Sequence, residues 1–286
     1  VRNFMYSKAG VLVFAGQTGS GKTTSIAAML NEVKRKGRSI NTLEDPVEFD
    51  LGVIQTSINS QGEGKADFAE YNKLLKRHDV DIGLIGEIRD HSVAMEVSRN
   101  GEAGMLMLTS VHTSSSLGTA PTLIEQMQMP PSLISAPGLM KLWMYQTLVR
   151  CLCPHCQLTL DEAKKQFSSE QLNRFDKWHS SYPDINLDKL RFHSEKGCDK
   201  CIQGESSRTA LVELIVLDDD DREFILKRDY LGWGKHLKEK GFKSVIDHAN
   251  LKIERGEIDL FTAAERVDGL FPRETSTIYR DMWGET

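Results

Sequence analysis

Short runs of consecutive apolar residues alternate, through the first half of the chain, with segments whose apolar residues recur every three or four positions. Val11 to Ala15 is the first such run; it ends in a glycine-rich turn, after which Ile26, Met29, Leu30 and Val33 mark one face of a helix that Gly37 stops. INTLEDPVEF reads as a second strand entering a proline-marked loop, and SINSQGEGKADF as a polar surface segment. A helix is predicted from about Asp67 to Lys76, a third strand over Ile82 to Ile85, a helix over Ser92 to Arg99, and a fourth strand in MLMLTSVH. Strands alternating with helices predict an α/β core with a mostly parallel sheet.

Beyond Met129 the pattern changes. LISAPGLMKLWMYQTLVR reads as helical, with Met127, Met129, Met140 and Met144 at roughly helical intervals as core or subunit-interface filler. Cysteine pairs then bracket a long polar segment whose apolar anchors are few, among them Phe167, Leu172, Phe175 and Trp178. LVELIVLDDDD follows and gives way to a charged, helix-rich tail; Asp218 to Asp221 read as a solvated loop or a helix N-terminus.

Composition narrows the class. With 286 residues, 40% apolar and 27% charged, the chain can bury a real core, and disorder and fibrous repeats are excluded. Its 41 acidic against 36 basic residues leave −5, an unfavourable background for nucleic acid as the main partner. No apolar stretch approaches the ~18 to 20 residues of a membrane span, and VRNFMYSKAG has no signal-peptide core. These features predict a reducing, cytosolic compartment, in which the five cysteines serve as metal ligands rather than disulfides.

The most specific chemistry lies in GQTGSGKT, Gly16 to Thr23, which fits G-x-x-x-x-G-K-[ST] directly after a predicted strand and before a predicted helix. Glycines let backbone N–H groups turn inward around a phosphate, and the helix N-terminus adds positive potential. The predicted nucleotide-binding stretch is therefore Gly16, Gln17, Thr18, Gly19, Ser20, Gly21, Lys22, Thr23 and Thr24. Lys22 is expected to reach the β- and γ-phosphates and Thr23 to bind Mg²⁺. Two acidic clusters, Glu44-Asp45-Pro46-Val47-Glu48 and Gly86-Glu87-Ile88-Arg89-Asp90, follow the second and third strands. In doubly wound sheets ligands lie off the carboxyl ends of the strands, so both clusters are expected to face the nucleotide.

Cys153-Pro-His-Cys156 and Cys198-Asp-Lys-Cys201 form two C-x2-C pairs that can close a tetrahedral Zn²⁺ site. Their separation exceeds that of compact zinc ribbons, so unbound thiols and His155 as a ligand remain alternatives, with Cys151 a buried or bystander thiol.

TLEDPVEF, DVDIGLIGEIRD and LTSVHT, together with the phosphate loop, resemble in order the motifs of the secretion ATPases that power type II secretion, type IV pilus assembly and related conjugative pili. The similarity runs from about Lys8 to Val267. It implies ATP hydrolysis, with Lys22, Glu44, Glu87 and His112 in catalytic roles. Glu87 would organise Mg²⁺ and the attacking water, Glu44 would lie by the γ-phosphate, and His112 would sense that phosphate. It favours a structural zinc on Cys153, Cys156, Cys198 and Cys201, as in pilus-extension and type II secretion members. It further implies a hexamer at the cytoplasmic face of the inner membrane, driving a membrane platform protein that adds pilin subunits. An upstream domain that covers the nucleotide and supplies arginines is also implied, so that this segment alone would bind ATP but assemble and hydrolyse it poorly.

Departures from the pattern mark a divergent member. Met105 stands where the histidine box usually begins with histidine, and Lys73 and Arg77 stand where paired arginines are common. Lysine offers a point charge rather than a planar fork.

The expected architecture is a RecA-like α/β P-loop NTPase core over 1–150, a zinc-binding tetracysteine subdomain over 151–202 and a helix-rich C-terminal subdomain over 203–286. The rival readings are a RecA-like nucleic-acid motor and a zinc-organised docking module in which nucleotide is a switch without turnover. No nucleic acid is expected as partner, because no basic and aromatic strand-binding surface is evident.

Overall fold

The computed structural model describes residues 2–34, 37–58, 71, 75, 78–272, 279–280 and 282–283. Two compact units form: Val1–Thr147 with Val212–Phe242, and Leu148–Leu211 with Lys243–Thr286. Both are discontinuous along the chain, whereas the expected division at 150 and 202 is drawn in sequence order.

The first unit is built on parallel strands. β1 (Gly10–Ala15), β2 (Ile40–Glu44), β4 (Ile82–Ile85) and β5 (Leu106–Val111) are buried along their whole length. This is why β1, β4 and the start of β5 read as near-continuous apolar runs rather than alternating ones, whereas β2 buries the polar Asn41, Thr42 and Glu44 as well. With β3 (Ile54–Ser57), β6 (Met140–Leu152) and β9 (Glu205–Ile215) they form a seven-stranded sheet of order β3-β2-β4-β5-β1-β6-β9. β1 pairs in parallel with β5 and β6, and β2 in parallel with β3 and β4. α1 (Lys22–Lys34) lays Ile26, Leu30 and Val33 against Leu12, Phe14, Leu84 and Leu108. α2 (His91–Glu102) starts at Asp90, whose carboxylate accepts the Val93 N–H at 2.9 Å. Asp90 is thus a helix cap, which corrects its expected place beside the nucleotide.

LISAPGLMKLWMYQTLVR is not the expected helix. Only Pro131–Ile134 is helical, and the chain from Met140 runs as strand β6. The cause is burial: Leu142, Trp143, Met144 and Tyr145 are all buried in consecutive positions. A run covered on both faces has the same apolar signature in a strand as in a core helix. Met129, Met140 and Met144 are core residues. The predicted helix of Asp67 to Lys76 lies largely outside the described residues; Tyr71 and Leu75 are helical.

The same unit contains α4 (Asp219–Lys227) and α5 (Tyr230–Glu239), numbered after α3 (Ser169–Ser181) of the second unit. Asp218 caps α4, and Asp221 completes the capping box. Asp221 is fully buried, accepting from Trp233 Nε1 at 2.9 Å and pairing with Lys240 at 3.0 Å. The aspartate run is therefore part core, not wholly solvated.

In the second unit, Phe175, Trp178, Leu190 and Phe192 pack with Val149, Leu211, Ala249, Ile253 and Leu260. Leu190 directly precedes β8 (Arg191–Phe192), which pairs antiparallel with β7 (Leu158–Thr159), and the others come from α3, β8, α6 (Val245–Glu254), α7 (Leu260–Ala264), β6 and β9. Trp178 Nε1 donates to Asn250 Oδ1 at 3.0 Å inside this core. The segment between the cysteine pairs, whose own apolar anchors are few, has apolar support from the distant tail.

Candidate functional site

Parallel pairing makes the strands of the first unit end at one edge. β1, β2, β4 and β5 finish at Ala15, Glu44, Ile85 and Val111, and the backbone bonds Gly16 N–H to Val111 O (3.3 Å), Gly86 N–H to Leu43 O (2.9 Å) and Ile88 N–H to Ser110 O (2.9 Å) carry the registry into the loops. The phosphate-type loop, the two acidic loops and His112 are thereby gathered around a cavity of about 330 Å³. Thr18, Gly19, Lys22 and Thr23 face it, as do Glu44 and Glu87.

The loop turns on glycines. Gly16, Gly19 and Gly21 have φ of 150°, 77° and 82°. At Gly16 a Cβ would come within 2.4 Å of the Gln146 carbonyl oxygen, so only glycine fits. Lys22 is nearly buried and its Nζ donates to the carbonyls of Gly16 (2.7 Å) and Gln17 (3.2 Å). Burial lowers its pKa from the usual lysine value, while the Glu87 charge opposes that fall. Gln17, Thr18 and Gly19 are exposed at the loop tip, Ser20 is buried, and Thr24 is exposed on α1.

The acidic residues hold distinct positions. Glu44 is buried, accepting from Thr42 Oγ1 at 2.6 Å and Gln55 Nε2 at 3.2 Å. Glu87 receives Arg89 Nε at 2.7 Å on one oxygen and stands 2.8 Å from His112 Nε2 on the other. Arg89 reaches on to Asp45 at 3.1 Å, bridging the two acidic loops; its hydrogen bond to Glu87 raises its pKa further. Glu44, Asp45, Glu48 and Glu87 crowd one cavity with Lys22, Arg89 and His112. A triphosphate entering beside these carboxylates needs a divalent cation to offset the added negative charge, and the donor set is oxygen-rich as Mg²⁺ requires.

Gln146 belongs to no motif in the sequence, and Arg89 appears there only within the second acidic cluster. Gln146 Nε2 donates to Ser20 O at 2.7 Å, and its Oε1 accepts from Ser25 Oγ at 2.7 Å. It clamps the loop to the start of α1. Its only sequence signal is a polar residue inside an apolar run, and the helical reading of that run hid the connection. Met105 is buried just before β5 and does not line the cavity. Lys73 and Arg77 lie outside the described residues.

In the second unit Cys153, Cys156, Cys198 and Cys201 place their sulfurs within 4.8 Å of one another. Cys153 to Cys198 is 3.8 Å, Cys156 to Cys201 3.7 Å and Cys198 to Cys201 3.6 Å. Four sulfurs about 2.3 Å from a tetrahedral zinc would be about 3.8 Å apart, so this donor set fits the ion and leaves no open ligand position. Burial and neighbouring thiols push Cys156 up to about 12. For Cys201 burial pushes upward, but the N–H groups of Cys198 and Gly204 together with the Cys198 and Cys156 thiols outweigh it and bring it down to about 7. Cys151 and His155 are outside the cluster.

Strand order, phosphate loop and strand-end carboxylates define a RecA-like P-loop NTPase fold. The solved structures agree: the pilus retraction motor PilT with bound ADP superposes with a TM-score of 0.64 at 19% identity, covering 98% of this chain and 66% of that one. The Legionella pneumophila ATPase DotB gives 0.63 at 19% identity, covering 91% and 60%. Residues 1–267 match the family model described as type II/IV secretion system protein, and the chain belongs to that family. Type II secretion system ATPase E of Vibrio cholerae is 35% identical over 218 residues, 76% of this chain and 40% of that protein. Type IV pilus assembly ATPase PilB of Pseudomonas aeruginosa is 28% identical over 249 residues, 86% and 41%. The chain thus spans about two-fifths of the length of these relatives.

Proposed function

We propose that this chain is the ATP-hydrolysing part of a motor that powers pilus assembly or protein secretion. One observation carries the reading: Lys22, Glu44, Glu87 and His112, from four strand ends, converge on a single cavity beside the phosphate-type loop.

Phosphoryl transfer to water needs positioning and charge compensation more than covalent chemistry. Loop N–H groups and Lys22 would hold the phosphates, with Lys22 exchanging the Gly16 and Gln17 carbonyls for phosphate oxygens. Mg²⁺, which Thr23 and the nearby carboxylates would hold, would supply charge neutralisation at the β- and γ-phosphates. Glu87 would help organise Mg²⁺ and the attacking water, Glu44 would lie by the γ-phosphate as a catalytic or metal-orienting carboxylate, and His112 would sense the γ-phosphate through its contact with Glu87.

Zinc on the four cysteines would be structural, and it favours an extension or secretion motor over a retraction one. By family, a hexameric ring acting on a platform protein at the cytoplasmic face of the inner membrane is the working context. Among the described residues no helix is long and apolar enough to cross a membrane.

The test is ATP turnover by the full-length protein against its concentration, with and without single-stranded DNA, and with Lys22→Ala as blank. Turnover per subunit should rise with concentration and ignore DNA. Turnover that requires DNA would mean a nucleic-acid motor instead, and binding without turnover would mean a switch.

A further inference from the structure

The segment after His112 is held from a place that the phosphate-site motifs do not touch. Ser116 is fully buried, and both its N–H (2.5 Å) and its hydroxyl (2.9 Å) donate to one oxygen of Glu213 on β9. Glu213 is itself nearly buried and is separated from Ser116 by 97 positions. Two donors of one residue on a buried carboxylate oxygen hold that residue at two points, where a solvent-facing contact would exchange with water.

The turn between His112 and this anchor is tightly closed. Ser115 Oγ accepts the Gly118 N–H at 3.0 Å, and a Cβ at Gly118 would come within 2.3 Å of Thr113 Oγ1. Thr113 to Gly118 therefore forms a compact turn with little room to adjust, pinned at Ser116. At its other end His112, about half exposed, contacts Glu87 at 2.8 Å. With about half of the side chain exposed, the imidazole is placed by its contact with Glu87 and by the backbone that carries it.

From this geometry we propose that Glu213 is a positioning residue for His112: by anchoring Ser116 it sets the loop that holds the imidazole against Glu87. This rests on the hydrolytic role given to the Glu87–His112 pair above. Glu213 touches none of the reacting groups, and acts only through the loop.

The experiment compares Glu213→Ala, Glu213→Gln and Ser116→Ala in the full-length protein, each also combined with His112→Ala. Readouts are kcat, KM and affinity for a fluorescent ADP analogue. Glu213→Ala should lower kcat about tenfold, the scale of a lost hydrogen bond to a charged group, with ADP affinity unchanged. Glu213→Gln keeps an acceptor oxygen and should restore most of the rate. Ser116→Ala, which keeps the N–H donor, should fall between. In the His112→Ala background the Glu213 changes should have no further effect. The same loss in that background, or a fall in ADP affinity that accounts for the loss, would overturn the proposal. If His112→Ala alone leaves kcat intact, the fault lies with the role of His112 itself, and the positioning role falls with it. Should Glu213→Ala fail to fold, Ser116→Ala and Glu213→Gln still decide: full activity in Ser116→Ala with no coupling to His112 overturns it.

Discussion

His112 Nε2 lies 2.8 Å from Glu87 Oε1, joining residues that leave the neighbouring strands β5 and β4. The same carboxylate is held from its other side by Arg89, so its orientation is fixed before any phosphate arrives. Such preorganisation favours charge that develops during reaction over charge already present in the ground state.

Glu87→Gln should therefore lower kcat by at least about 100-fold, while affinity for ADP changes less than about threefold. Steady-state turnover and nucleotide titration check this. A variant with near-normal kcat would remove Glu87 from the reaction.

Gln146 braces the loop itself, not the chemistry. Gln146→Leu removes the bonds to Ser20 O and Ser25 Oγ and leaves the buried Ser20 carbonyl without that donor. Nucleotide binding should weaken about tenfold, the equivalent of roughly 1.4 kcal/mol, as read by calorimetry. An unchanged Kd would show that the loop holds its shape without the clamp.

The cysteine cluster predicts stoichiometric metal. Wild-type protein should contain one zinc per chain by mass spectrometry and Cys198→Ser should lose it. Because Phe175, Trp178 and Phe192 sit in an apolar core with Ile253 and Leu260, amide protection in α3 should survive while that around Cys153 and Cys201 falls. Loss of protection throughout 160–192 would mean that metal, not the apolar core, orders the segment. Nucleotide affinity should not change.

Acid should loosen the α4–α5 pair through Asp218. Its hydrogen bond from Lys240, with further help from Asp221, lowers its pKa from 3.8 to about 2. A carboxylate depressed on folding adds stability that is complete above its unfolded value and vanishes as pH falls through the folded one. The contribution of Asp218 is thus present above pH ~4 and lost between about 4 and 2. Since half of its side chain is exposed, the effect is small. Thermal midpoints of wild type and Asp218→Asn should differ at pH 6 and converge near pH 2; a constant difference would contradict the linkage.

At Asp259 the stakes are higher. Its buried carboxylate caps α7, accepting N–H groups of Phe261 and Thr262 at 2.8 Å and His193 at 3.1 Å. Asp259→Ala should cost about 2 to 3 kcal/mol, measured by urea denaturation followed at Trp178. A loss below about 0.5 kcal/mol would place those donors on water instead.

Much of this was legible in the sequence because it is local. The buried parallel strands β1, β4 and β5 show themselves as apolar runs, and a loop that must wrap a phosphate shows its glycines, lysine and threonine in fixed spacing. Glu44 and Glu87 could be placed because a strand end in a doubly wound sheet is a position that chain order supplies. The cysteine pairs carried their own spacing, although only folding could bring Cys153 beside Cys198 across the long segment between them.

What the chain order could not supply were contacts between residues distant in sequence. Leu142 to Gln146 of β6 carry a helix-like signature because burial on both faces erases the difference between periods of two and 3.6, and in a helical reading Gln146 has no visible reason to reach Ser20. Asp90 and Asp221 carry the same charge as Asp45, but a helix start and a buried tryptophan turned them into structural groups. Glu213 sits on a strand 97 positions from the serine it holds. Sequence determines which residues prefer strand, helix or phosphate turn because those preferences act over a few bonds. Which carboxylate faces a cation, a cap or a cavity is decided by packing, where desolvation makes each buried charge take the partner that the fold brings to it.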